Sequence, residues 1–77
     1  MSIPDEIGSN IVSLRKKKGL SQEDLAFYSG MSVSYLRAIE HGDANPTINA
    51  LSRLADTLEE TFSTVVHLHE QEKGKTV

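Results

Sequence analysis

A short stretch near the middle of this chain carries side chains suited to hydrogen bonding, at the spacing of one helical face. Ser34, Arg37, Ala38 and His41 fall together on that face. A guanidinium can donate two hydrogen bonds to a guanine, and Ala38 or the flanking Val33 suits contact with a thymine methyl group. The face therefore fits a helix that reads bases in the major groove of DNA. It fits an ordinary solvated helix face equally well.

Two further positions carry groups suited to a phosphate. Gln22 and Ser32 stand at the starts of two successive predicted helices. There, a side-chain amide or hydroxyl and free backbone N–H groups can hold a phosphate together. Helix capping also explains a polar residue at each position, so neither residue is diagnostic alone.

Three histidines are the candidates for other chemistry. The His67-x-His69 spacing places the two imidazoles on different sides of a helix, and the chain has no cysteine. We therefore interpret them as a solvated terminal pair and expect no metal or other cofactor. His41 has only its neighbour Glu40 to orient it as a general base. With no phosphate-cradling glycine loop and no nucleophile elbow, the sequence predicts no enzyme.

Helical spacing and cap signals predict an all-α fold of five helices. The first helix follows Pro4 and ends at Gly19. The other four begin after polar caps, namely Ser21, Ser32, Thr47 and Thr61. Val65 and Val66 are β-branched, so the last segment also fits a short strand.

The second and third predicted helices are short and close together. Only three residues, beginning with Gly30, separate them, so the chain must turn sharply there. Leu36 and Ile39 define the buried side of the third helix. This arrangement is a helix-turn-helix.

Composition bounds the class of protein. Seventy-seven residues with eight Lys and Arg against eleven Asp and Glu give one small domain with a net charge of −3. That balance argues mildly against nucleic acid, although one face can still be basic. No apolar run approaches the ~20 residues of a membrane span. The absence of cysteine and of a basic N-terminus predicts a cytoplasmic protein without a secretory signal.

Residues 21–46, SQEDLAFYSGMSVSYLRAIEHGDANP, resemble the phage repressor and Cro-like family of helix-turn-helix transcription regulators. The matching features are Leu20-Ser21-Gln22, Leu25-Ala26, Gly30, Ser32, Ile39-Glu40, Gly42 and Asn45-Pro46. The resemblance implies a five-helix, lambda-repressor-like DNA-binding domain over residues 5–68, with a dimerising C-terminal helix. Residues 69–77 would be a polar tail.

The resemblance implies a sequence-specific transcription regulator that binds a pseudo-palindromic operator as a homodimer. Each third helix would enter a major groove, with the two grooves about 34 Å apart. Expected partners are double-stranded DNA and a second copy of the chain, with RNA polymerase as a further candidate and no membrane. Small relatives include phage repressors and controller proteins of restriction-modification systems. The expected DNA contacts are Gln22, Ser32, Val33, Ser34, Tyr35, Arg37, Ala38, His41 and Asn45.

The resemblance also implies a structural ion pair and exposes departures from the family pattern. An arginine of the first helix pairs with a glutamate late in the third, here Arg15 and Glu40, so Glu40 is structural. Ser29 replaces a larger apolar residue, and no glycine follows the fourth helix, which leaves its C-terminal cap in doubt. Val33 stands where many relatives carry a polar base-reading residue.

Two alternatives stay open. A set of apolar residues near the C-terminus either forms a dimer interface or completes the monomer core: Phe62, Val65, Val66 and Leu68. The fold could also serve as a protein-interaction module, an antitoxin or an antagonist of another regulator. The acidic balance and Val33 favour that second function.

Overall fold

The computed structural model describes residues 2–68, and within that range it contains five α-helices and no strand. The helices are α1 (Ile3–Lys17), α2 (Gln22–Ser29), α3 (Val33–Glu40), α4 (Ile48–Leu58) and α5 (Phe62–Val65). The predicted all-α class is confirmed, and the strand alternative at the two valines is wrong. No helix in residues 2–68 is long and apolar enough to cross a bilayer. The predicted polar tail, 69–77, lies outside the described residues.

A polar side chain caps the N-terminus of every helix in this part of the chain. Each cap accepts a hydrogen bond from the backbone N–H three residues further on, as the sequence predicts for the last four helices. The cap of α1 is Ser2, which forms a capping box with Asp5. The first helix therefore begins before Pro4 rather than after it. Proline is tolerated in the first turn, where its missing N–H costs no intrahelical bond.

The turn between α2 and α3 depends on a left-handed residue. Gly30 has φ 70° and ψ 38°, which glycine adopts without steric cost. The N–H of Met31 then donates to the carbonyl of Ala26 at 3.0 Å, closing the end of α2. Ala26 itself is only 1% exposed, and its small side chain allows close packing of α2. These two residues set the angle at which α3 leaves the turn.

The core is a single cluster of apolar side chains from all five helices. Its buried members are Ile7, Ile11, Leu25, Ala26, Leu36, Ile39, Leu51, Leu54, Ala55, Leu58 and Val65. Ser29, the departure from the family pattern, is buried and its hydroxyl donates to Thr57 Oγ1 at 3.0 Å. Helix α2 packs against α3 and α4, whereas α5 packs against α4 and α1.

Val65 corrects one expectation from the sequence. Its side chain is 0% exposed and belongs to the monomer core, so it is not available to a second subunit. A four-residue helix cannot be stable alone, and burying Val65 supplies the tertiary contact that holds α5 in place. For this residue the core-completing alternative is correct.

The C-terminus of α4 is capped by a residue other than glycine. Glu59 takes the left-handed conformation itself, with φ 58° and ψ 40°. Its carboxylate accepts a hydrogen bond from Lys18 Nζ at the end of α1. This hydrogen bond and the nearby ammonium charge hold the pKa of Glu59 below its ordinary value.

Helix α1 approaches the end of α3 so closely that one position admits only glycine. A Cβ added to Gly8 would lie 2.5 Å from the carbonyl oxygen of Ile39 and 2.6 Å from that of Glu40. Both obstacles are backbone atoms, which cannot move without displacing α3. Gly8 is thus required by packing, although glycine weakens a helix.

An ion pair joins the same two helices. Arg15 Nε donates to Glu40 Oε2 at 2.7 Å and Arg15 Nη2 donates to Glu40 Oε1 at 3.1 Å, a bidentate geometry. The side chains are only 13% and 2% exposed, respectively. Arg15 Nη1 also donates to the carbonyl of Leu20 at 3.0 Å, which ties down the segment before α2. The pair implied by the family resemblance is confirmed.

We expect Gly8→Ala to destabilise the protein by about 1–3 kcal/mol, the usual cost of overpacking. Helix propensity alone predicts the opposite sign, a gain of about 1 kcal/mol. Urea unfolding of Gly8→Ala and of the exposed neighbour variant Ser9→Ala measures the difference. A Gly8→Ala protein as stable as Ser9→Ala would contradict the close approach of α1 and α3.

We expect Glu40→Ala to lower the free energy of unfolding by about 3 kcal/mol, because it leaves the largely buried guanidinium of Arg15 without its partner. The double variant Arg15→Met, Glu40→Met removes both charges and keeps apolar volume. In urea unfolding, the double variant should therefore lose less stability than the summed losses of its two single variants, Arg15→Met and Glu40→Met. Additive losses would mean that the two side chains act independently.

Candidate nucleic-acid interface

The outward face of α3 matches the helical-wheel expectation. Ser34, Arg37 and His41 are exposed, and Ala38 between them is half-buried. On the opposite side of the helix, Leu36 and Ile39 are completely buried. Polar groups therefore project from a rigid helix whose apolar side is fixed in the core.

The flanks of this face are less accessible than the sequence predicts. Val33 and Tyr35 are half-buried and pack against the core. Ser32 is exposed, and its hydroxyl accepts a hydrogen bond from the N–H of Tyr35 at 3.1 Å. Asn45 is exposed in the loop that follows α3. All four stay accessible in part, and Ser34 with Arg37 dominates the exposed surface of α3.

Gln22, expected to contact a phosphate, has its side-chain amide engaged within the protein. Gln22 Nε2 donates to Glu40 Oε1 at 2.8 Å, and Gln22 Oε1 accepts from Arg37 Nε at 3.1 Å. Since Glu40 is also bound by Arg15, the four side chains form one chain of hydrogen bonds from α1 to the exposed face of α3. Gln22 thus positions Arg37, a role that no local sequence pattern indicates.

A second residue of α2 contacts the same guanidinium. Glu23 Oε2 lies 3.5 Å from Arg37 Nη2, with the two side chains 66% and 55% exposed. Glu23 lies between Ser21 and Asp24, the partners of the capping box in the first turn of α2, so it is not needed as a cap. Arg37 is therefore held by two consecutive residues of α2. Sequence reasoning did not single out Glu23.

Next to this face lies a groove of about 430 Å³ where the N-termini of α3 and α4 meet. Ser32 and Thr47, the caps of the two helices, line it, and the N–H of Thr47 donates to the hydroxyl of Tyr35 at 3.3 Å. Arg53 of α4 also lines it, with Nη1 3.6 Å from the position that a Cβ on Gly30 would occupy. Two helix N-termini and a guanidinium make the groove electropositive. In the sequence, Arg53 is a lone cation with no signal of this placement.

The C-terminal apolar residues separate into two groups. Phe62 is 40% exposed, and Val66 and Leu68 are half-buried, whereas Val65 is buried. A groove of about 410 Å³ runs between α1 and α5, and its lining residues are Asn10, Ser13, Leu14, Ser63, Thr64 and His67. Asn10 Nδ2 donates to the carbonyls of Val65 at 3.0 Å and of His67 at 2.7 Å, which fixes this segment on α1.

The metal-site hypothesis gains no support in the described part of the chain. Residues 2–68 contain no group of three or more His, Cys, Asp or Glu that could hold an ion. His67 is half-buried, and His69 lies outside the described residues.

Helix α2 carries two exposed aromatic side chains. Phe27 and Tyr28 form an edge-to-face pair with ring centroids 5.3 Å apart.

Comparisons with known proteins agree with this geometry. A family model described as helix-turn-helix matches residues 11–65. The uncharacterised HTH-type transcriptional regulator y4dJ of Sinorhizobium fredii is 46% identical over 52 residues, which cover 68% of each chain. The regulator SlrR of Bacillus subtilis is 40% identical over 73 residues, covering 88% of this chain. This chain spans only 48% of the length of SlrR.

A solved structure shares the arrangement of helices. The restriction-modification controller protein C.AhdI from Aeromonas hydrophila superposes with a TM-score of 0.79 and 35% identity, covering 80% of this chain and 94% of that one. The resemblance to repressor and Cro-like proteins is thereby confirmed. This chain is also similar to a control-region protein of a Bacillus phage. The chain belongs to the helix-turn-helix family of DNA-binding transcription regulators.

Proposed function

We propose that the protein binds a pseudo-palindromic DNA operator as a homodimer, with α3 of each subunit in a major groove. The observation that carries this proposal is the exposed face of α3, where Ser34 and Arg37 project from a helix fixed on its other side. Arg37 retains an outward guanidinium that can pair with guanine O6 and N7. Ser34 and Ala38 would contact the neighbouring bases.

The groove between α3 and α4 would take the DNA backbone. Phosphates carry no sequence information, so they need positive charge and backbone donors rather than a specific pattern of acceptors. Ser32, Thr47 and Arg53 supply these at one end of α3. A phosphate held there would fix the depth to which α3 enters the major groove.

Dimerisation would use the exposed side of α5. Phe62 is a large apolar side chain left 40% exposed on α5. A domain of this size gains stability when such a surface is covered by a second copy. Val66 and Leu68, which are half-buried, would add apolar area to this contact.

A protein-interaction function has one observation in its favour. Phe27 and Tyr28 are 78% and 67% exposed and adjacent on α2, away from the core. Aromatic residues are enriched in protein interfaces. If the chain bound no DNA selectively, even in low salt, this function would replace operator recognition.

Substitution of two arginines separates base reading from backbone binding. An operator is first obtained by selecting bound duplexes from a random pool. We expect Arg37→Ala to lose about 1–3 kcal/mol of discrimination at one base pair of each half-site. The matched control Arg53→Ala should weaken binding to every sequence and reduce the salt slope by about 1. Fluorescence anisotropy across salt concentrations measures both. Uniform weakening by Arg37→Ala would contradict base reading by α3.

Introduction of a charge on α5 tests the dimer. We expect Phe62→Glu to raise the dimer dissociation constant by at least about tenfold, because it places a carboxylate in an apolar contact. Phe27→Glu, which makes the same change on α2, should leave it unaltered. Sedimentation equilibrium measures the constants, and circular dichroism verifies that both variants are folded. Equal effects of the two substitutions would place the interface elsewhere.

A further inference from the structure

Two nitrogens of the Arg37 guanidinium already face acceptors in the DNA-free protein. Its Nε donates to Gln22 Oε1 at 3.1 Å, and its Nη2 lies 3.5 Å from Glu23 Oε2. Both partners belong to the first turn of α2. The side chain that would read a base is thus held beside the neighbouring helix before any DNA arrives.

The contact with Gln22 is imposed by the interior of the protein. Gln22 Nε2 donates to Glu40 Oε1 at 2.8 Å, and the side chain of Glu40 is 2% exposed. A carboxylate accepts only, so the amide must turn its oxygen outward, toward Arg37. Arg37 Nε is therefore committed to Gln22, and the two terminal nitrogens, Nη1 and Nη2, remain as the donors for another acceptor.

The contact with Glu23 has a different character. Both side chains are more than half exposed, so the ion pair is weak and exchanges readily with other acceptors. The negative charge of Glu23 stays beside Arg37 whichever acceptor is bound. A phosphate oxygen is anionic and is repelled by that charge. Guanine O6 and N7 are neutral acceptors and are repelled much less.

We propose that Glu23 is a specificity-determining residue: it holds Arg37 in the free protein and disfavours pairing of Arg37 with backbone phosphates relative to a guanine edge. This inference rests on the proposed recognition of DNA by α3. Non-specific binding is supplied almost entirely by phosphate contacts. Glu23 therefore weakens non-specific complexes more than the specific one, in which Arg37 contacts a base.

The test is Glu23→Gln, which keeps the side-chain length and removes the charge. The matched control is Asp56→Asn, which removes the same charge from an exposed position of α4. The chain is titrated by fluorescence anisotropy with the selected operator and with a random duplex of equal length. Relative to the control, Glu23→Gln should tighten binding to the random duplex by about two- to fivefold, the range expected for an exposed ion pair. Operator binding should change less, so the specificity ratio falls.

A double-mutant cycle ties the effect to Arg37. In the Arg37→Ala background, Glu23→Gln should alter random-duplex binding no more than Asp56→Asn does. An unchanged specificity ratio, or an equal effect without Arg37, would overturn the role of Glu23 while leaving operator recognition intact. An unsubstituted chain with no preference for the operator would overturn both proposals, and this outcome is visible before any variant is made.

Discussion

The carboxylate of Glu40 accepts hydrogen bonds from two helices other than its own, and the position of α3 depends on it. Arg15 supplies a bidentate pair from α1, and Gln22 supplies a third bond from α2. A carboxylate buried to this extent is stable as an ion only when such donors surround it. Moving α3 would break all three bonds at once. The orientation of the outward face is therefore coupled to the packing of the whole helical cluster.

The side-chain amide of Gln22 connects the buried Glu40 to the exposed Arg37. Because Glu40 fixes the Nε2 side of Gln22, the oxygen of that amide becomes the anchor for Arg37. A long, flexible side chain normally loses much rotamer freedom when it binds a base. Here part of that freedom is already lost in the free protein. The structural ion pair and the proposed base-reading group are thus members of one network.

The distribution of charge matters more than the net charge of −3. Arg53 lines the groove at the N-terminus of α3, where the helix dipoles add positive potential, and Arg37 projects from the last turn of the same helix. Glu23 is an acidic residue on this surface, and it forms an ion pair with Arg37. We propose above that this pair favours base contacts of Arg37 over phosphate contacts. A small acidic protein can therefore present a face suited to an anionic polymer. On α5, the exposed side chain of Phe62 leaves an apolar surface instead.

The sequence by itself determined the five helices, because caps and apolar periodicity act within a few residues of one another. It also placed Ser34 and Arg37 outward, and the family pattern implied the Arg15–Glu40 pair. Tertiary structure alone decided the rest: the partners of Gln22, the need for glycine at position 8, the burial of Val65 and the location of Arg53. These depend on distances between segments far apart in the chain. Helical periodicity records which side of a helix is apolar, and it carries no information on which distant atom lies against that side.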